Sequence, residues 1–313
     1  MKIIFGPVHS RRFGASLGID LSPSHKQCNF DCLYCELAPA QTVEKQSQTI
    51  SVDTIIDALT EALQAHKNID VITLTANGEP TIYPYFKELI NKIDNIKAET
   101  QTLILTNSAT LTDPEVFDAL LHLDQVKLSL DAISPDVFKK IDRPHNTIKI
   151  DQLVDALKSF AKVYQGKLFI EILFVYGLND TDEEIMLLNE ALRDLDATRI
   201  DIGTIDRPPA YPVQGISYSE LHNIAQKFDA SLPINIASRQ HAEGCQSHYS
   251  DEEIINTLDK RPLTPEDVEI LFDEASKTRL QLLLEDEKII QIERSNVLFY
   301  IPKANLQKKR QKA

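Results

Sequence analysis

Near-continuous apolar, β-branched runs recur along the chain: SLGIDL (16–21), DVITLTA (70–76), TLILTN (102–107), QVKLSL (125–130), LFIEILFV (168–175) and RIDIGTI (199–205). Parallel strands covered on both faces read this way. Between them the apolar spacing changes to three and four. SVDTIIDALTEALQAHK keeps its apolar residues on one helical face. LTDPEVFDALLHL offers Thr112 as an N-cap with Pro114 in the first turn. TDEEIMLLNEALRDL and SYSELHNIAQKF open with capping-box pairs, Thr181 with Glu184 and Ser217 with Glu220. Six strand-then-helix units predict an α/β fold with right-handed crossovers, its parallel sheet curled into a partial (β/α)6 barrel.

The pattern changes after about residue 250. SDEEIINTLDK, TPEDVEILFDEA and KTRLQLLLEDEK read as three short helices, and IIQIERSNVLFYIP as two strands around a Ser295–Asn296 turn. The expected organisation is a barrel over 1–249 and a winged-helix-like α+β module over 250–313. Lys277 and Arg279 share the last helical segment with Glu285, Asp286 and Glu287, a poor composition for reading DNA and a better one for packing or partner docking.

Charge and length narrow the function classes. The chain has 313 residues and a net charge of −14, which excludes a general nucleic-acid coat. The basic tail LQKKRQKA reads as a solvated end. No apolar run is long enough to cross a bilayer, and the N-terminal apolar stretch is too short for a secretory signal. A cytoplasmic protein with reduced thiols is expected, with no membrane partner.

In a β/α barrel, chemistry gathers where strands end. Three of the four cysteines, Cys28, Cys32 and Cys35, lie in CNFDCLYC just after the first predicted strand. NGEP (77–80) follows the second, TNS (106–108) the third, SLDA (129–132) the fourth and YGLND (176–180) the fifth. A disulfide among three cysteines leaves one over. A structural zinc site needs a fourth ligand, and HAEGCQSH offers Cys245, His241 and His248 far downstream. An iron–sulfur cluster held by three thiolates keeps one iron open to a small molecule.

The C-x3-C-x2-C spacing, with Tyr34 before the last cysteine and a β/α pattern around it, resembles the radical S-adenosylmethionine (radical SAM) superfamily. The resemblance implies a [4Fe-4S] cluster on Cys28, Cys32 and Cys35. It implies S-adenosylmethionine held at Tyr34, Gly78, Glu79, Pro80, Asn107, Ser129, Asp131 and Asn179. It also implies a reductant such as flavodoxin or ferredoxin, and oxidoreductase or transferase chemistry that begins with reductive SAM cleavage. Read as local structure, Asp131 is equally a helix cap and GLND an ordinary turn.

GPVHSRRFGASLGIDLSP, ANGEPT, SLDAISPDVFKKIDRPH, FVYGLNDT and IDRPPAYP are similar to segments of the wyosine-type tRNA-modifying synthase branch. That branch implies an RNA base in tRNA as substrate. No cysteine precedes Cys28 here to hold that branch's second cluster, and only Lys2 and Lys26 precede the loop where the branch uses a lysine on pyruvate. A protein, peptide or small-molecule substrate is the alternative, and a non-catalytic zinc-binding interaction protein the rival of another class. Arg11, Arg12, Arg143, His145 and Arg207 are candidates for an anionic substrate or for ion pairs within an acidic protein. Cys245, Arg143 and His145 are the candidates for catalytic work on the substrate.

Overall fold

The computed structural model describes residues 3–10, 13–66, 68–236, 248–260, 262–294 and 297–304. Arg11, Arg12, His241, Cys245, the Ser295–Asn296 turn and the basic tail lie outside the described residues.

The chain runs β1 (Ile4–Ser10), β2 (Gly14–Asp20), α1 (Val52–Ala65), β3 (Val71–Thr75), α2 (Phe86–Ile96), β4 (Gln101–Thr106), α3 (Pro114–Leu121) and β5 (Gln125–Ser129). It continues through α4 (Pro135–Ile141), α5 (Ile150–Val163), β6 (Lys167–Phe174), α6 (Asp182–Arg193), β7 (Arg199–Thr204), α7 (Tyr218–Ala225) and β8 (Ile234–Ile236). The eight strands form one sheet in sequence order. β2 through β8 pair in parallel, and β1 is antiparallel to β2. The six predicted strands are all present, and the sheet gains β1 and β8 at its two ends.

Side chains alternate across each strand. On one face Ile72, Leu74, Ile104, Val126, Leu128, Ile170, Ile172, Ile200 and Ile202 join one apolar core with Ile55, Leu59, Leu89 and Ile93 of α1 and α2 and Leu153, Leu157, Leu188 and Leu192 of α5 and α6. The other face is mixed, with Val71, Leu103 and Phe169 buried on the same side as a charged group. Lys127 bonds Glu171 and lies 3.7 Å from Asp201, which also takes Arg199 Nε at 2.9 Å and Asn235 Nδ2 at 2.7 Å. Buried charges survive there because each has a partner.

Two helix starts differ from the expectation. Asp113, not Thr112, caps α3, and its side chain accepts the amide of Glu115. Thr181 accepts the Glu184 amide at 3.2 Å, but the Glu184 carboxylate turns away to the Ile133 and Ser134 amides, so the reciprocal bond of a capping box is absent. Ser217 and Glu220 form theirs in full.

Beyond the sheet, α8 (Asp251–Lys260), α9 (Pro265–Leu271) and α10 (Glu274–Glu285) precede the antiparallel pair β9 (Ile289–Arg294) and β10 (Val297–Pro302). Ile254, Leu258, Val268, Phe272, Leu280 and Leu283 build a second apolar core. Lys277 pairs with Glu269 and Glu274, and Arg279 with Asp251. The basic residues of α10 are thus engaged with acids of the same module.

Candidate active site at the carboxyl rim of the sheet

The segments that follow β2 and β3 are joined by main-chain bonds. Gln27 N donates to Asn77 O at 2.9 Å, and Glu79 N donates to Gln27 O at 3.0 Å. Gly78 makes this approach possible: its φ is +130°, and a Cβ there would stand 1.8 Å from the Gln27 carbonyl oxygen. The Gln27 side chain then fastens the loop's root, with Nε2 to Ser22 Oγ at 2.8 Å and Oε1 accepting from Ser47 N at 2.8 Å. Cys28 begins where this junction ends.

Glu79 is buried, and its carboxylate is enclosed. Oε1 accepts Thr81 N at 3.0 Å and Thr106 Oγ1 at 2.6 Å, while Oε2 accepts Asn107 N at 2.8 Å. Burial pushes this carboxyl above its ordinary value despite those donors. Asn107 closes the circuit, giving Nδ2 to Asn29 Oδ1 at 2.6 Å and standing 3.8 Å from the Cys28 sulfur. The exits of β3 and β4 therefore meet at the cysteine loop.

The fourth and fifth exits meet it through Asp131. Its Oδ2 accepts the Tyr34 hydroxyl, and its Oδ1 accepts Leu173 N at 2.7 Å. Tyr34, Asn107, Ser129, Asp131 and Asp142, together with Phe30, Leu130, Phe138, Ile150 and Leu153, line a hollow of about 10 Å³ beside the loop. Asp131 and Asp142 are both buried, and Asp142 Oδ1 has no hydrogen-bond partner. Burial raises both carboxyls, and the Asp131 charge raises Asp142 further. Ser129 uses its carbonyl to accept Ser108 Oγ at 2.8 Å. Asn179 is fully buried and its amide is used internally, accepting Val175 N and donating to Asp131 O and Leu173 O.

Two Arg-Pro segments clamp the loop from outside. Asp31 N donates to Asp142 O at 3.1 Å, Leu33 N to Ile141 O at 2.8 Å, and His145 N to Asn29 O at 2.8 Å. Arg143 NH1 lies 3.5 Å from Asp31 Oδ2, and its guanidinium stacks 4.7 Å from the Tyr211 ring. From the other segment, Ala210 N donates to Cys35 O at 2.8 Å, Tyr211 donates its hydroxyl to Asp31, and Arg207 pairs with Glu36. His145 Nδ1 is 3.8 Å from Glu44 and 2.9 Å from Thr147 Oγ1. Arg143 and Arg207, candidates for an anionic substrate or for internal ion pairs, are paired with carboxylates of the cysteine loop.

All three thiols are free and half-buried. Burial first, then the Glu79 charge, pushes Cys28 up to about 12, and burial raises Cys32 and Cys35 as well. Lys26 opposes this at Cys35 and Cys28. Burial disfavours the Lys26 ammonium, but Cys35 and Asp31 outweigh it and hold its pKa above the ordinary lysine value. Among the described residues, no three His, Cys, Asp or Glu side chains close on one metal ion. A cubane asks for something different, one thiolate per iron, and a polar-rimmed loop with three cysteines fits that demand.

The sequence model of the radical SAM superfamily matches residues 23–188, which hold the cysteine loop and the exits of β3 to β6. The chain belongs to the radical SAM superfamily. It is 38% identical over 291 residues to the UPF0026 protein of Helicobacter pylori strain J99, spanning 92% of this chain and 94% of that protein. It is 26% identical over 163 residues to the GTP 3',8-cyclase of Limosilactobacillus fermentum, 52% of this chain and 47% of that enzyme. Its fold is similar to that of a radical SAM methyltransferase from Sphaerobacter thermophilus, with a TM-score of 0.54 at 16% identity over 71% of this chain and 66% of that one. Radical SAM enzymes use a [4Fe-4S] cluster and S-adenosylmethionine. Among the described residues, no helix is long and apolar enough to cross a membrane.

Sequence reasoning passed over Lys26, Gln27, Asp142 and Tyr211 as members of this site. Each acts through a partner that the fold supplies. The signal for the clamp was present in the repeated Ile-Asp-Arg-Pro at 141–144 and 205–208.

Proposed function

We propose that Cys28, Cys32 and Cys35 each ligate one iron of a [4Fe-4S] cluster, and that Gly78, Glu79, Pro80, Tyr34, Asn107, Ser129, Asp131 and Asn179 shape the S-adenosylmethionine site beside it. The bonds that join Gln27 to Asn77 and Glu79 carry the proposal, because they set the cysteines beside the Gly-Glu-Pro turn. Once bound, these cofactors supply reductive cleavage of the sulfonium to methionine and a 5′-deoxyadenosyl radical that removes a hydrogen atom from substrate. Gly78 lets the turn come close enough to the loop for the Gln27 bonds to form. Glu79, with its carboxylate enclosed, favours an ammonium by charge and by holding the turn. Tyr34 and Asp131 line the hollow, and Asn179 positions Asp131 through its carbonyl. Residues 1–249 act as the catalytic unit and 250–313 as an appended packing or docking module. A low-potential donor such as flavodoxin or ferredoxin supplies the electron in the cytoplasm.

For the substrate, a small molecule or peptide is favoured. Arg143 and Arg207 are occupied by Asp31 and Glu36, and a net charge of −14 repels phosphate chains. The wyosine-like segments support the second reading, an RNA base in tRNA. The two are separated by binding of unfractionated tRNA across a salt series. The first predicts no retention at physiological salt; tight retention that falls steeply with salt would favour RNA. The cofactor assignment is tested by electron paramagnetic resonance (EPR) of the anaerobically reconstituted, reduced protein. A spectrum altered by S-adenosylmethionine is expected, and an unaltered one would count against it.

A further inference from the structure

Charges are unevenly placed around the three cysteines. Lys26 precedes Cys28 by two residues and bonds Asp31, which lies between Cys28 and Cys32, whereas Asp131 accepts the hydroxyl of Tyr34, which lies between Cys32 and Cys35. The Lys26 side chain is only 7% exposed, and its ammonium donates to Asp31 Oδ1 at 3.0 Å. Asp31 is shared: Arg143 approaches its other oxygen at 3.5 Å, and the Tyr211 hydroxyl donates to it. Two cations thus stand around one carboxylate, and the group keeps a net positive charge against the loop.

A buried lysine–aspartate pair can serve packing alone. Here the aspartate already has Tyr211, Arg143 and the Ala40 amide, so Lys26 is not needed to satisfy it. Lys26 is instead a cation buried at the root of the cysteine loop, whereas Glu36 of that loop is already paired with Arg207. One-electron reduction, by an external low-potential donor, adds a negative charge among the thiolates. A buried cation beside the thiolates favours that electron. We propose that Lys26 is a positioning residue for charge, raising the reduction potential of the cluster held by Cys28, Cys32 and Cys35. This rests on the cysteine assignment above. No bond or proton at Lys26 changes in the step.

The test is an anaerobic redox titration of the reconstituted holoprotein, followed by EPR. Lys26→Met removes the charge and keeps the bulk. It should lower the reduced-to-oxidised ratio at a fixed applied potential about tenfold, which is about 59 mV for one electron. Lys26→Arg, which keeps the charge, and Tyr211→Phe, which loosens the loop at constant charge, should stay within about twofold of wild type. Asp31→Asn should move the potential the opposite way and keeps the proposal testable if Lys26→Met does not load. A fully loaded Lys26→Met at the wild-type potential would overturn the proposal, as would equal shifts in Lys26→Met and Tyr211→Phe. Wild-type protein that takes up no iron–sulfur cluster would remove the reading beneath it.

Discussion

The amide of Glu79 donates to the carbonyl of Gln27 at 3.0 Å, across a gap that only a glycine at 78 leaves open. Through that bond the cysteine loop and the Gly-Glu-Pro turn become one structure. The loop is further held by Asn107 from β4 and by the two Arg-Pro segments. An apoprotein that already fixes its cysteine loop meets its metal with less chain entropy left to lose.

Gly78→Ala should be far costlier than Gly177→Ala. Both glycines have positive φ, but a Cβ at 177 meets nothing within 4 Å, while at 78 it strikes the Gln27 carbonyl. Left-handed backbone alone costs about 1–2 kcal/mol, which is the loss expected at 177. At 78 the clash adds to it, and cluster loading should fail as well. Thermal unfolding and iron content of the two variants check this; equal losses would contradict it.

Tyr211→Phe removes one donor to Asp31 and leaves the fold's apolar core untouched. A hydrogen bond to a charged group contributes about 1.5–3 kcal/mol. Amides of residues 28–36 should therefore exchange with solvent about tenfold faster or more in the apoprotein. Unchanged protection across that loop would show that Tyr211 does not hold it.

Asp124 couples stability to pH. Burial would raise its carboxyl, but Lys97 at 2.7 Å and the Thr102 amide at 2.8 Å hold it below the usual carboxylate range. A depressed carboxyl contributes stability above its unfolded value, near pH 3.9, that is lost as pH falls through the folded value. Asp124→Asn should destabilise by about 1 kcal/mol at neutral pH, with the difference from wild type shrinking below about pH 4. Denaturant unfolding at several pH values measures this, and a difference independent of pH would refute it.

Much of this fold is legible in the sequence because buried parallel strands write long β-branched runs. β1 is not legible, since Gly6 and Pro7 interrupt its pattern, and three-residue β8 is too short to carry one. Thr112 and Asp113 are both good caps one residue apart, but Thr112 ends a 3-10 turn (Ala109–Thr112) and Pro114 takes the first helical position, which leaves Asp113 as the cap. Glu184 had the spacing of a capping-box partner, but the loop after β5 offered two amides. The cysteine positions and the rim segments could be read from motif and strand order. The fates of Arg207 and Tyr211 could not, because Glu36 and Asp31 lie 171 and 180 residues away along the chain.

The most direct test is anaerobic. The protein is reconstituted with iron and sulfide, given S-adenosylmethionine and a strong one-electron reductant, and 5′-deoxyadenosine is quantified. Wild type should form it, and Cys28→Ala, Cys32→Ala and Cys35→Ala should each lose cluster and product together. A fully loaded wild type that forms none, or a cysteine variant that forms as much as wild type, would contradict the assignment.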